Sequence, residues 1–189
     1  IDALSRVDDS HNGIQVGRSE GEIRLVAFAV DACAETIRRA ADAGAQVLFV
    51  HHGILWGPRC RLEGALLDRV RLLLDSDMAL YACHLPLDKH PEVGNNAVLA
   101  RMLGLGEVRS FGPYHGVELG FAGALDPPIS LDEAVRRVLP DGSRPRALIP
   151  GTRTELRSAA VVSGGGAMSA LDALAEGIDL FVTGESSHS

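Results

Sequence analysis

Three apolar runs in the first half of the chain each lead directly into residues that bind metal ions in other proteins. The runs and the residues that follow them are 23–30 before Asp31, 46–50 before His51 and His52, and 78–83 before His84. In an open α/β sheet, ligands bind outside the carboxyl ends of the strands. The sequence therefore predicts buried strands that bring histidines and carboxylates together at one edge of a sheet.

Segments with helical periodicity separate these runs. They cover residues 33–43, 63–75 and 94–103. Gly44 follows the first of them as a C-cap. Alternation of strands and helices is typical of a mainly parallel sheet that is covered by helices on both faces.

The second half of the chain shows a related pattern. Its expected elements are two short strands within 108–125, a helix over 131–139 behind a Ser130–Glu133 capping box, strands at 158–162 and 178–182, and a helix over 167–176. We therefore predict an α/β fold with two lobes, residues 1–105 and 106–189. Both lobes would have mainly parallel sheets covered by helices, with a metal site between them at the carboxyl ends of strands.

Composition and charge exclude some classes of partner. The chain has 189 residues and a net charge of −7, whereas a protein that holds nucleic acid through its phosphates needs a basic face. No apolar stretch reaches the roughly 18–20 residues of a membrane span. The three cysteines are widely spaced and form no CxxC motif, which indicates reduced thiols and a cytoplasmic protein.

The adjacent pair His51 and His52 is the sharpest chemical signal. Neutral imidazole is a common ligand of Zn, Fe, Ni and Co. Neighbouring side chains of a strand point in different directions, so one ring could bind an ion while the other binds a second ion or supports the first. A hydrogen-bonded pair or a surface pair without metal is the alternative.

A second candidate segment runs from His84 to Asp88. Pro86 argues against a regular helix, so we expect a fixed loop that aims an imidazole and a carboxylate into one site. Asp88 could bridge two cations, because a carboxylate has two oxygens. In the alternative, His84 is a core residue and Asp88 caps a turn.

Three further positions follow or precede predicted strands. Gly164, Gly165 and Gly166 form a loop whose N–H groups could hold a phosphate with help from a helix dipole, or which is only a tight turn. Glu185 could be a ligand, a general base or a helix cap. Asn12 lies in a polar, turn-rich segment that could reach the site or be a plain loop.

Together these segments resemble the Nif-three-like family of dinuclear metal centre proteins, often labelled GTP cyclohydrolase I type 2 homologues. The residues that carry the resemblance are Asn12–Gly17, Asp31, His51–Gly53, His84–Asp88, Gly94–Asn96, Gly164–Gly166 and Thr183–Glu185. The resemblance implies two metal ions, with His51, His52 and Asp88 among the ligands and His84 close by, and a homohexamer. It also implies further ligands beyond Thr183–Glu185, so the second lobe is expected to be C-terminally incomplete.

The leading hypothesis is a metal-dependent hydrolase that acts on a nucleotide or a phosphorylated metabolite. Two divalent ions (Zn, Fe, Mn, Co or Ni) would activate water and polarise the attacked group. His84 or Glu185 would move protons, and the glycine loop and Asn12 would hold the substrate. The alternatives are a non-catalytic metal-binding chaperone or regulatory adaptor, and a structural α/β protein whose histidines have no special role.

Overall fold

The computed structural model describes residues 4–186 and has a mixed α/β fold with two four-stranded sheets. Two compact units comprise Ile1–Leu87 and Asp88–Ser189. The boundary expected from the sequence was 105/106. The unit boundary lies earlier because helix α4 (Asn95–Leu103) packs against the second sheet, with Ala100 and Leu103 in its core. The last residues, where incompleteness is expected, lie outside the described part of the chain.

The first unit is built from strands and helices in alternation. In chain order they are β1 (Gly13–Val16), β2 (Val26–Asp31), α1 (Ala34–Asp42), β3 (Val47–His52), α2 (Gly64–Asp75) and β4 (Ala79–Ala82), followed by the single turn α3 (Leu85–Asp88). The strand order is β1-β4-β3-β2, with β2, β3 and β4 parallel and β1 antiparallel to β4. The three predicted strands are confirmed as strands, but the expected burial is wrong for β2, an edge strand with most of its residues exposed. Strand β1 was missed because its segment is polar and rich in turn residues.

Both helices of the first unit cover the same face of its sheet. Consecutive parallel strands lie side by side here, so right-handed crossovers place α1 and α2 on one face, where they contact each other. The helices and the sheet enclose an apolar core in which Ile37, Leu48, Leu73 and Leu80 are fully buried. The expectation of helices on both faces is therefore wrong for this sheet.

The opposite face of this sheet carries a row of apolar side chains. Phe28, Phe49 and Tyr81 are register neighbours, with ring centroids 5.5 and 5.3 Å apart, and Ile14 pairs with Tyr81 on β1. Phe28 is 74% exposed and Ile14 is 70% exposed. The row thus joins all four strands without being part of the closed core.

The second unit has a different sheet. Its elements after α4 are β5 (Gly106–Tyr114), β6 (Val117–Ile129), α5 (Leu131–Val138), β7 (Leu156–Val162), α6 (Ala170–Ala175) and β8 (Leu180–Thr183), in sheet order β5-β6-β7-β8. Only β7 and β8 are parallel. The predicted mainly parallel sheet is wrong here. His115 and Gly116 form a two-residue turn with positive φ, and such a turn joins only antiparallel strands.

Helix α5 begins at the residue that the sequence indicates. Ser130 Oγ accepts a hydrogen bond of 3.1 Å from the amide of Glu133, which confirms one half of the capping box. The Glu133 carboxylate instead accepts from Arg136 and Arg137. These bonds hold the pKa of Glu133 below its ordinary value.

Removing this cap should have a measurable cost. We expect Ser130→Ala to lower the free energy of unfolding by about 1 kcal/mol, because the Glu133 amide loses its acceptor. Ser130→Asp is the matched control, since a carboxylate caps equally well. Urea unfolding of both variants tests this, and equal losses in the two would contradict it.

Between residues 4 and 186, the structure contains no helix with the length and apolar character needed to cross a bilayer.

Candidate metal centre

Three histidines of the first unit converge at the carboxyl ends of two neighbouring parallel strands. His51 and His52 are the last residues of β3, and His84 lies just beyond β4. One ring nitrogen of each lies within 4.8 Å of the others. The ring centroids are 4.5 Å apart for His51–His52, 5.0 Å for His51–His84 and 5.5 Å for His52–His84. A single ion could therefore contact all three rings.

The rings of His51 and His52 lie close together, whereas the sequence led us to expect that they point in different directions. Strict alternation along a strand would point their rings apart. However, His52 is the terminal residue of β3 and Gly53 follows it, so the regular pleat ends at this point. Both rings can consequently contribute a nitrogen to the three-histidine group.

Each imidazole is held through its Nδ1 atom by an oxygen. The pairs are His51 Nδ1 with Cys83 O at 3.0 Å, His52 Nδ1 with Asp31 Oδ1 at 2.8 Å, and His84 Nδ1 with Asp8 Oδ1 at 2.8 Å. A backbone carbonyl and an ionised carboxylate can only accept, so we assign the hydrogen to Nδ1 in each ring. The lone pair then lies on Nε2, which is the arrangement that metal-binding histidines usually have.

Asp8 is the buried anchor of this arrangement and is not among the site residues predicted from the sequence. Its side chain is 0% exposed. Its carboxylate accepts from four donors: His84 Nδ1, the amides of Ser10 and Leu85, and Asn12 Nδ2. Burial opposes ionisation, but the bonds from His84, Asn12 and Ser10 outweigh it and hold the pKa of Asp8 below its ordinary value. Its position in the polar run before β1 was the available signal.

Asn12, predicted to bind substrate, supports His84 in the structure. Its Oδ1 accepts from the backbone amide of His84 at 2.7 Å, and its Nδ2 donates to Asp8 at 2.7 Å. Asn12 thus connects the segment before β1 to the residue after β4. Contact with a substrate stays a prediction.

Gln15 fixes the turn that follows the two adjacent histidines. Its Oε1 accepts from the amides of Ile54 and Leu55, and its Nε2 donates to the carbonyl of His11 at 2.8 Å. A Cβ at Gly53 would collide with this carboxamide. Glycine at position 53 therefore lets the Gln15 carboxamide keep its hydrogen bonds, whereas a larger residue would displace it.

This displacement leads to a stability prediction for position 53. Gly53→Ala should lower the free energy of unfolding by about 1–3 kcal/mol, because Gln15 must leave its hydrogen bonds. The same substitution should cost less in a Gln15→Ala background, where the space is open. Urea unfolding of the two single variants and the double variant measures the coupling, and strictly additive losses would refute the explanation.

The segment after His84 is helical, contrary to the expected loop. Leu85–Asp88 forms the single turn α3, with Pro86 as its second residue. Proline is tolerated in a first turn because the N–H groups there need no partner within the helix. Trp56 packs against His84 in an edge-to-face arrangement with the ring centroids 5.0 Å apart, and its Nε1 donates to Gly53 O.

Asp88 belongs to the second unit and is 7% exposed. Its Oδ1 accepts from Asn95 Nδ2 at 2.7 Å and from Ser163 Oγ at 3.1 Å. The Asn96 amide donates to the Asp88 carbonyl and to that of Leu119. The role of Asp88 as a metal ligand stays a prediction.

The glycine loop and Glu185 also lie in the second unit. Gly164 O accepts from the Glu185 amide at 2.9 Å and from Thr183 Oγ1 at 3.1 Å, which ties this loop to the end of β8. A 3-10 turn (Gly166–Ser169) follows the loop, and α6 begins only at Ala170. The helix predicted over 167–176 is confirmed only for Ala170–Ala175, because its first turn is 3-10. No α-helix starts at the glycine loop, so a helix dipole no longer supports a phosphate site there. Roles of the glycines and of Glu185 toward a substrate stay predictions.

The donor set fits a transition-metal ion. Three imidazoles with nitrogen lone pairs suit Zn, Fe, Co or Ni, whereas Mg and Ca prefer oxygen ligands. Each imidazole already has the Nδ1 acceptor that orients metal-binding histidines and raises their basicity. The arrangement can thus hold a metal ion without rebuilding its surroundings.

Known proteins show the same fold and related sequences. A family model described as Duf34/NIF3 (NGG1p interacting factor 3) matches residues 3–189. A protein of Halobacterium salinarum named GTP cyclohydrolase 1 type 2 homolog is 43% identical over 181 residues, which is 94% of this chain and 72% of the relative. Its namesake in Archaeoglobus fulgidus is 41% identical over 188 residues, covering 100% of this chain and 74% of the relative.

Two solved structures resemble this chain over nearly its full length. The protein ybgI, described as of unknown function, has a TM-score of 0.85 and 32% identity, covering 99% of this chain and 74% of its own. TTHA1606 from Thermus thermophilus has a TM-score of 0.79 and 34% identity, with 99% and 75% covered.

Proposed function

The chain belongs to the Duf34/NIF3 family, and we propose that it is a metal-dependent hydrolase with a metal centre at His51, His52 and His84. The observation that supports this most strongly is the set of Nδ1 contacts. Three converging imidazoles each have an acceptor at Nδ1, which is the arrangement that orients histidines for binding a metal through Nε2.

A metal ion held at these nitrogens would supply Lewis acidity and a lowered pKa for water. The chain's own part is to orient the ligands: Asp31, Asp8 and the Cys83 carbonyl fix the three rings. Trp56 packs against the His84 ring and donates a hydrogen bond to the carbonyl of Gly53. We therefore propose His84 as a metal ligand, in place of the proton-transfer role expected from the sequence.

Other parts of the proposal rest on sequence alone. They are the second metal ion, Asp88 as a further ligand, and Glu185 as a group that moves protons. The substrate class is a nucleotide or a phosphorylated metabolite. The shared name of the relatives, GTP cyclohydrolase 1 type 2 homolog, makes GTP the first substrate to test.

The proposal predicts hydrolysis that depends on metal. Purified protein reconstituted separately with Zn, Mn, Fe, Co or Ni should convert GTP or another member of a nucleotide and phosphoester panel, and EDTA should abolish turnover. His51→Ala should lower kcat/KM by at least about 100-fold, since it removes a ligand. Arg38→Gln is the control, because this exposed arginine lies on α1 away from the three histidines.

One outcome would favour the non-catalytic alternative. Protein that binds metal through the histidines but turns over no substrate of the panel would contradict the hydrolase and agree with a metal chaperone or regulatory adaptor. Absence of bound metal would contradict both.

A further inference from the structure

A separate cavity lies in the first unit, beside the segment that supports His84. Its volume is about 450 Å³, within the range of roughly 300–1,000 Å³ that is usual for small-molecule sites. Six of the residues that line it are Arg6, Asp9, Ser10, His11, Pro58 and Pro86. The two prolines provide apolar surface, and the N-terminal segment provides polar groups.

Several polar groups around the cavity are already used within the protein. The Asp8 carboxylate and the Asn12 carboxamide are engaged with each other and with His84. His11 Nε2 pairs with the carbonyl of Gly57 at 2.6 Å. These groups shape the wall, and recognition of a ligand falls to Arg6, Asp9 and Ser10.

Ser10 gives the second, independent indication of a ligand. The residue is 5% exposed, and its Oγ has no hydrogen-bond partner among residues 4–186. Leaving a buried hydroxyl unpaired is unfavourable, because the group has lost its hydrogen bonds to water without gaining others. Its backbone is fixed by a bridge to Trp56, so the side chain cannot simply move out to solvent with its segment.

Arg6 and Asp9 supply opposite charges at the same cavity. Within the described part of the chain, neither side chain forms a salt bridge. A guanidinium binds phosphate or carboxylate oxygens in pairs, and a carboxylate accepts from N–H donors. A ligand that binds both Arg6 and Asp9 must carry an oxyanion for the guanidinium and an N–H donor for the carboxylate.

We propose that this cavity binds a small zwitterion, with its phosphate or carboxylate on Arg6, its ammonium group on Asp9, and a hydrogen bond to Ser10. The site does not depend on the metal centre, because its recognition groups are not ligands of the three-histidine group. It adds a binding function that stands whether or not the chain is a hydrolase.

Calorimetric titration of the whole protein with two probes tests the site. Phosphoethanolamine carries a phosphate and an ammonium group, and γ-aminobutyrate carries a carboxylate and an ammonium group, so the two distinguish the source of the oxyanion. We expect one of them to bind with equal affinity in the presence and absence of EDTA. Arg6→Gln should weaken that binding by about tenfold or more, and Asp9→Asn should also weaken it.

Arg38→Gln, a matched exposed arginine of the same unit, should leave the dissociation constant unchanged. Ser10→Ala provides a second variant without a charge change and should weaken binding without loss of the fold. The proposal is overturned if neither probe binds up to about 10 mM, if EDTA abolishes binding, or if Arg6→Gln and Arg38→Gln behave alike.

Discussion

Replacing Asp8 with alanine is expected to lower the free energy of unfolding by about 3 kcal/mol and to weaken metal binding by about 10–100-fold. The side chain is fully buried, and its loss leaves four N–H donors without their acceptor. His84 then loses the partner that sets its tautomer and its orientation.

Thermal unfolding and metal titration measure these two effects. A loss of this size corresponds to a decrease of about 6–12 °C in the unfolding midpoint for a chain of this length. Asp9→Ala is the control, since it removes the same charge from the neighbouring position, where the carboxylate is not part of the His84 network. Equal effects of the two substitutions would show that general charge, not the buried hydrogen bonds, determines the result.

The double substitution His51→Ala and His52→Ala is expected to remove bound metal while the fold persists. Two of three converging nitrogens are lost, so the affinity should fall by well over about 100-fold. The fold should persist because the core of the first unit consists of apolar residues, with Ile37, Leu48, Leu73 and Leu80 fully buried.

Plasma mass spectrometry and far-ultraviolet circular dichroism measure metal content and fold in parallel. His90→Ala serves as the control, because His90 is an exposed histidine outside the three-histidine group, and its Nδ1 accepts from the amides of Glu92 and Val93. Metal retained by the double variant at the level of the control would contradict the assignment of the ligands.

The alternation of apolar runs and helices predicted most of the first sheet. Strands β2, β3 and β4 lie in nearly continuous apolar runs, so their positions and lengths were visible, although β2 is mostly exposed. The convergence of His51, His52 and His84 followed from the rule that parallel strands end at the same edge. Strand β1 lacked such a signal, because Gly13, Gln15 and their neighbours also suit a turn.

The remaining differences come from contacts between residues that are distant in sequence. The role of Asp8 depends on its hydrogen bond with His84, which lies 76 positions away in the sequence. The short turn at His115 makes β5 and β6 antiparallel, and a pattern of apolar residues does not report strand direction. Pro86 in the sequence argues against a regular helix, but its position in the first turn of α3 makes it compatible with one.

The most direct test of the account is proton NMR of the protein loaded with Co²⁺. A paramagnetic ion bound through Nε2 shifts the Nδ1–H resonances of its histidine ligands far from the normal range, and these signals disappear in D₂O. We predict such shifted exchangeable signals for His51, His52 and His84, with the His84 signal lost in His84→Ala. A cobalt-loaded protein without any shifted exchangeable imidazole signal would contradict the proposed metal centre.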